Sequence, residues 1–267
     1  MVLNWRYVVG MKKHVSVFGF YIKSSIYKVL LILLLMVLAE TGVFLFKFRG
    51  ELANYYELTE VFAQDNAGVA YLARPENVLD NSFTSLIFAV AIIIVSVILS
   101  LPGCEFGAKT SYTIKRLQVS ERACFFWQML CSLMLYLLVY AAQLAVVFGL
   151  SQYYINHVPE ELVGNQSVFL MFYRSEFLHS LLPLADVRIW IRNIFLLLGL
   201  SFAVAGFSYQ QRRKKKPMAL YLMLVCSWFF FSQEIAGFSN VMFLSLTSLM
   251  VIAKLLFTVL PEEETFL

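Results

Sequence analysis

The sequence predicts an all-α membrane protein with six transmembrane helices, an N-terminal amphipathic helix lying in the membrane interface, and a short helix in one cytoplasmic loop. Three observations carry this. Of 267 residues, 60% are hydrophobic and only 14% charged, with a mean hydropathy of +0.74; an ordinary soluble domain carries about 25% charged residues and could not bury so much apolar surface. Nearly uncharged stretches recur at the length of about 20 residues that a helical crossing needs. Lys and Arg gather in alternate loops, as the orientation of a multi-pass chain requires. Six crossings take roughly 120 positions and leave only short loops, so no nucleotide-binding domain fits.

Residues 1–25 hold Arg6, Lys12, Lys13 and Lys23 with no acid, interleaved with Trp5, Val8, Val9, Val15, Phe18 and Ile22. Three- and four-residue steps in that apolar set predict a helix in the membrane surface. The first span is expected over 26–46 as an uncleaved anchor, because a basic prelude of 25 residues is long for a signal peptide. An acidic, Tyr-rich outer loop follows over 47–82, with room for a helix through 51–64. The second span, 83–101, stops at Pro102-Gly103, a strong helix break. A cytoplasmic loop occupies 102–122. The third span, 123–150, is interrupted in polarity only by Gln128, Ser132 and Gln143.

A second acidic outer segment, 151–189, contains a stretch at 167–184 that is apolar enough to lie on the membrane but too interrupted to cross it. The fourth span, 190–209, ends at the basic run Arg212–Lys216 in loop 210–217. Residues 218–260 are too long for one crossing at about 1.5 Å per residue. They are expected to fold back at 236–240, giving a fifth span, 218–235, and a sixth, 241–260, before the acidic tail 261–267. Fourteen Lys and Arg fall in the N-terminal region and in the loops after the second and fourth spans, against six on the opposite side. This places both termini in the cytoplasm and the chain in the cytoplasmic membrane.

No phosphate loop, His-Glu-x-x-His, Cys-x-x-Cys or Gly-x-Ser-x-Gly motif occurs, so the sequence offers no catalytic residue. Cys104, Cys124, Cys131 and Cys226 lie within or beside apolar segments, which argues against a disulfide framework. His14, His157 and His179 are too scattered to suggest a metal site. Nucleic acid is not among the expected partners.

Charges inside spans invite a functional reading because a centred charge costs about 2.5–3.5 kcal/mol even on the insertion scale. Glu40 and Arg192 lie at similar depth near the outer ends of the first and fourth spans, so an ion pair between them is expected, as a cargo-sensitive gate or as a static packing pair. Glu234 stands beside the fold-back and reaches toward water. Gly199, Ala203 and Gly206 repeat at four and three residues, a small-residue face for close helix contact, within the chain or at a dimer seam. The run 212–216 attracts anionic headgroups or simply fixes topology.

The loop from Glu105 to Arg122 mixes Phe106, Tyr112, Ile114 and Leu117 with Lys109, Lys115 and Arg116. Such a pattern suits a short helix docking on a soluble partner, and equally an ordinary basic connector. Glu105, then Thr110, Ile114 and Gln118-Val119-Ser120-Glu121-Arg122 leading straight into a span, resembles the coupling-helix region of type-2 ABC transporter permeases. Lys109 stands where that family usually has Gly, and Gln118 where it usually has Pro. The six-span layout and the amphipathic N-terminal helix resemble the family as well.

The resemblance implies a permease subunit that pairs with a second copy or a second permease, in contact with membrane lipids. It implies a coupling element made of Glu105, Phe106, Thr110, Tyr112, Ile114, Lys115, Arg116, Leu117 and Arg122, docked on an ABC ATPase subunit. No cofactor would reside in this chain, ATP and magnesium being held by the partner. Such an exporter moves a peptide, drug or lipid-like substrate. A non-catalytic membrane immunity or interaction protein, and a membrane-embedded lipid-modifying enzyme, are the alternatives.

Overall fold

The structure, a computed structural model, describes residues 2–65, 72, 75–104, 119–159, 167–184, 186–232 and 238–260, with the side chains of 2–12 and of some helix-end residues outside that description. Its elements are helices: α1 (Val2–Asp65), α2 (Pro75–Asn81), α3 (Thr84–Ser100) running into a 3₁₀ turn (Leu101–Gly103), α4 (Glu121–His157), α5 (Ser167–Arg174), α6 (Glu176–Leu181), α7 (Val187–Arg212), α8 (Met218–Ser232) and α9 (Phe238–Val259). Five of them, α1, α3, α4, α7 and α9, are long and apolar enough to cross a membrane, the architecture of a multi-pass membrane protein. The expected fifth span, 218–235, corresponds to α8, whose 15 described residues reach about 22 Å, short of the roughly 30 Å hydrocarbon core.

The expected boundary between an interfacial helix and the first span is absent. A single 64-residue helix covers both and continues through the first part of the expected outer loop to Asp65, about 96 Å in all. The reason lies in one buried stripe: Val17, Tyr21, Ser25, Val29, Leu33, Met36, Glu40, Phe44 and Phe48 recur every three or four residues with no change of register. This is one continuous packed face of the helix from Val17 to Phe48. Val15, expected on the apolar face, is 62% exposed.

At the centre stands α7, packed against α9, α4, α8 and α3. Its sequence explains that place: Gly199, Ser201, Ala203, Ala205, Gly206 and Ser208 are buried, and small side chains let neighbouring backbones approach where apolar burial against lipid offers no driving force. A Cβ added to Gly206 would meet Leu255 of α9 at 2.6 Å, and one at Gly199 would meet Met223 of α8 at 2.7 Å and Ser248 of α9 at 3.1 Å. Ala203, between them, is fully buried. The small-residue face is therefore occupied by α8 and α9 of the same chain. α1 packs on α4 and α3, and α3 on α8.

Candidate functional site

Two polar clusters mark the two ends of the bundle, with two buried pairs between them. At the non-basic end, α5 and α6 form a hairpin folded onto the bundle. The Arg174 Nη1 is 3.5 Å from Glu76 Oε1, and the Ser175 hydroxyl donates to Asp80 Oδ1 at 2.7 Å, so α2 is tied to the hairpin. Burial raises the Asp80 carboxyl above the usual carboxylate range; the Ser175 hydrogen bond opposes this and the charge of Glu76 adds to it.

The last carbonyls of α6 lack helical partners, as at any helix C-terminus. Here they are met by cross-bundle donors: Asn193 Nδ2 donates to Ser180 O at 2.9 Å, Arg192 Nη2 to the same oxygen at 3.4 Å, and the Tyr140 hydroxyl to Leu181 O. A cation at this end of a helix also complements its dipole.

Arg192 thus serves the hairpin, and also donates to Asn193 Oδ1. The ion pair expected between Arg192 and Glu40 is not formed. Glu40, fully buried, accepts instead from Gln143 Nε2 of α4 at 3.1 Å. Glu40 on α1 is engaged by α4, whereas Arg192 on α7 is engaged by the α5–α6 hairpin. Glu40 falls in the buried stripe of α1 and Gln143 in that of α4, and α1 and α4 are neighbours. A second buried link, Ser96 to the Tyr136 hydroxyl at 2.6 Å, joins α3 to α4.

At the basic end, Pro102 helps to stop α3 and leaves the carbonyls of its last turn to be satisfied from outside. Side chains of α4 and α7 do so. Gln128 Nε2 donates to Leu99 O at 3.2 Å and to Ser208 Oγ at 2.7 Å, and Ser208 Oγ donates to Ser100 O at 2.9 Å. Arg212 Nη1 donates to Gly103 O at 2.6 Å. Gln128 and Ser208 are both buried, which is where polar side chains in a span belong.

Eighteen residues after Gly103 the chain returns as α4, whose N-terminus is capped by the Ser120 side chain accepting from Ala123 N. Glu121 in its first turn pairs with Arg213, Nε at 3.0 Å and Nη2 at 2.9 Å from one carboxylate oxygen. The Arg213 guanidinium also lies over the Tyr209 ring, 4.5 Å from its centroid. Nearby, the Trp127 indole donates to His14 Nδ1 at 3.1 Å, fastening α1 to α4.

Both ends of the expected coupling loop are therefore held by consecutive arginines at the end of one helix, Arg212 on the departing strand of chain and Arg213 on the returning one. Of the expected coupling residues, Arg122 falls in α4, where its main chain is ordered by the Ser120 cap. Glu105, Phe106, Thr110, Tyr112, Ile114, Lys115, Arg116 and Leu117 lie outside the described residues, as does Glu234. Sequence reasoning singled out neither Arg212 as an anchor nor Ser208. The signal present was a pair of polar residues, Gln128 and Ser208, near the basic ends of two spans.

The four cysteines are buried and free, and among the described residues no group of three or more His, Cys, Asp or Glu lies together. Comparison with protein-family models, with curated proteins and with solved structures returns no match for this chain.

Proposed function

We propose that this chain is the membrane permease subunit of an ATP-driven exporter, working with a separate ATPase and a second permease in the cytoplasmic membrane, basic end inward. Its cargo class is a peptide, drug or lipid-like molecule. The observation that supports the reading is the double anchorage of loop 104–120 on the end of α7. A permease without a soluble domain receives mechanical work only through short elements that project from its spans. A load on this loop would pass through the Arg212–Gly103 and Arg213–Glu121 contacts into α7, which touches α3, α4, α8 and α9. The whole bundle then responds to one lever.

A ligand or partner shifts such a bundle only by binding its states unequally. The ATPase would supply that inequality on ATP binding, and ATP and magnesium would be its ligands.

The test is affinity recovery of an ATPase from membranes of the source cells. An ATPase should accompany the wild-type chain and be lost when 106–117 is replaced by a flexible linker of equal length, while the variant still inserts. Recovery of an ATPase unchanged by that replacement, or no ATPase with the wild type, overturns the proposal.

A further inference from the structure

We infer that the basic end of the bundle carries an oxyanion site, formed by Arg212 and Tyr21 with Arg122 beside them, that takes the headgroup phosphate of an anionic lipid. The inference does not depend on the transport reading. It starts from the guanidinium of Arg212. One nitrogen, Nη1, is committed to Gly103 O at 2.6 Å. The other edge, Nε with Nη2, is buried and has no hydrogen-bond partner among the described residues. Those two atoms form the parallel fork that receives a phosphate or carboxylate through two bonds at once. A buried donor left unmade is costly, more so when it is charged, so an empty fork of this kind is unusual in a finished structure.

The neighbours repeat the pattern. The Tyr21 side chain, only 2% exposed, brings its hydroxyl beside Arg212, close enough for a loose contact with the guanidinium, but makes no hydrogen bond of ordinary geometry among the described residues. Arg122 Nε, in the same cluster around Tyr209, is likewise buried and unpartnered. Donors from three helices thus meet with no carboxylate or carbonyl among the described residues bonded to these atoms, the Tyr21 oxygen being the one acceptor at hand. The surrounding charge has the matching sign. Arg122, Arg212, Arg213 and Glu121 all lie around Tyr209, and the one carboxylate among them is engaged by Arg213. The cluster is therefore positive by two charges.

Depth selects the source of the phosphate. Arg212 is the last residue of α7 and is followed by Lys214, Lys215 and Lys216, all exposed. Tyr21 precedes the most apolar part of α1. The site therefore lies where a span leaves the hydrocarbon and meets the headgroups. Arg212 as a whole is half-buried, so the fork lies just beneath the surface. Basic clusters at this level attract anionic lipids in general; the empty fork adds a fixed, bidentate position within that field.

The experiment uses the detergent-purified full-length chain, titrated with phosphatidylglycerol, with phosphatidylcholine and with inorganic phosphate. Retained lipid is read by native mass spectrometry and the thermal midpoint by fluorescence. Phosphatidylglycerol should be retained over phosphatidylcholine and should raise the midpoint. Tyr21→Phe, which keeps the ring and the fold, should weaken retention about fivefold, the value of one hydrogen bond, and Arg212→Gln by roughly tenfold or more. Lys216→Gln, at an exposed charge in the same run, should leave retention within about twofold. Equal retention in Tyr21→Phe and wild type overturns the site even if Arg212→Gln fails to fold. A midpoint raised by inorganic phosphate with no preference for phosphatidylglycerol overturns the lipid as occupant.

Discussion

Replacing Gly103 by Ala tests how closely the turn after α3 is pressed against α7. The added Cβ would fall 2.6 Å from Ser208 Cβ, from Ser208 Oγ and from Gln128 Oε1. Ordinary contact begins near 3.4 Å, so each neighbour must retreat by about 0.8 Å. Ser208 Cβ is one bond from its backbone and cannot swing aside; α7 itself must move from the turn. Overpacking of this kind costs about 1–3 kcal/mol. The Gln128–Ser208 and Ser208–Ser100 hydrogen bonds stretch with it, at roughly 0.6 kcal/mol each by the scale of polar contacts in membrane bundles. The sum is about 2–4 kcal/mol, a fall in thermal midpoint of the order of 10 °C for a chain of this size.

The assay is the midpoint in mild detergent, followed by size-exclusion with intrinsic fluorescence. Gly206→Ala meets only the flexible end of Leu255 and should cost about 1 kcal/mol or less. Gly42→Ala and Gly149→Ala, with nothing within 4 Å of the new atom, should be neutral or stabilise by up to about 1 kcal/mol through helix propensity. Ser208→Gly, which removes the obstructing atoms, should recover more than half of the loss in the Gly103→Ala background. A Gly103→Ala midpoint equal to that of Gly42→Ala, or no recovery with Ser208→Gly, refutes the reasoning.

The Glu40–Gln143 contact predicts a coupling of about 1 kcal/mol in a double-mutant cycle with Glu40→Leu and Gln143→Leu, whereas the cycle between Glu40 and Arg192 should give a coupling near zero; the opposite result would restore the ion pair. Because burial raises the Asp80 carboxyl in the fold, its contribution to stability is full below the ordinary value of 3.8 and is lost as pH rises through the raised folded value. Asp80→Asn, which still accepts from Ser175, should flatten the fall in thermal midpoint across that acidic window, and an unchanged slope would remove Asp80 as its source. All four native cysteines being buried, single cysteines at Glu57 and Lys214, both exposed, report topology cleanly. Reagent outside intact cells should reach Glu57→Cys, and should reach Lys214→Cys only after permeabilisation; the reverse pattern would invert the bundle.

What was legible in the sequence was the set of long apolar helices, and what was not was direction around each helix. Hydropathy counts residues from a span end, so it placed Glu40 and Arg192 at one level. Which face each occupies depends on a stripe that continues far beyond the span, from Val17 to Phe48 in the case of Glu40. The same stripe explains why residues 1–25 read as a separate interfacial helix. Their basic charge is a strong local signal, but the apolar set chosen with it included Val15, and the buried positions are Val17, Tyr21 and Ser25. Taken with Val29 and Leu33, these three already continue the span's own face. Small residues were easier to interpret, because Gly199, Ala203 and Gly206 limit what can approach them whatever the partner is.

The basic end shows where a local signal and a tertiary one diverge most. Arg212 and Arg213 belong to the densest charge in the chain, and charge density alone assigns them to topology. Their separate tasks follow from which groups the fold leaves unsatisfied near them. The stop at Pro102 exposes the Gly103 carbonyl and fixes Arg212, and the restart at Ser120 presents Glu121 and fixes Arg213. A helix break and a helix cap, eighteen residues apart in sequence and each legible by itself, thus select two neighbouring arginines at the end of a third helix. Neutralising Arg213 should free only the returning end of the loop, and neutralising Arg212 only the departing end. If the loop works as one lever, either change alone should uncouple it from α7 as fully as both together.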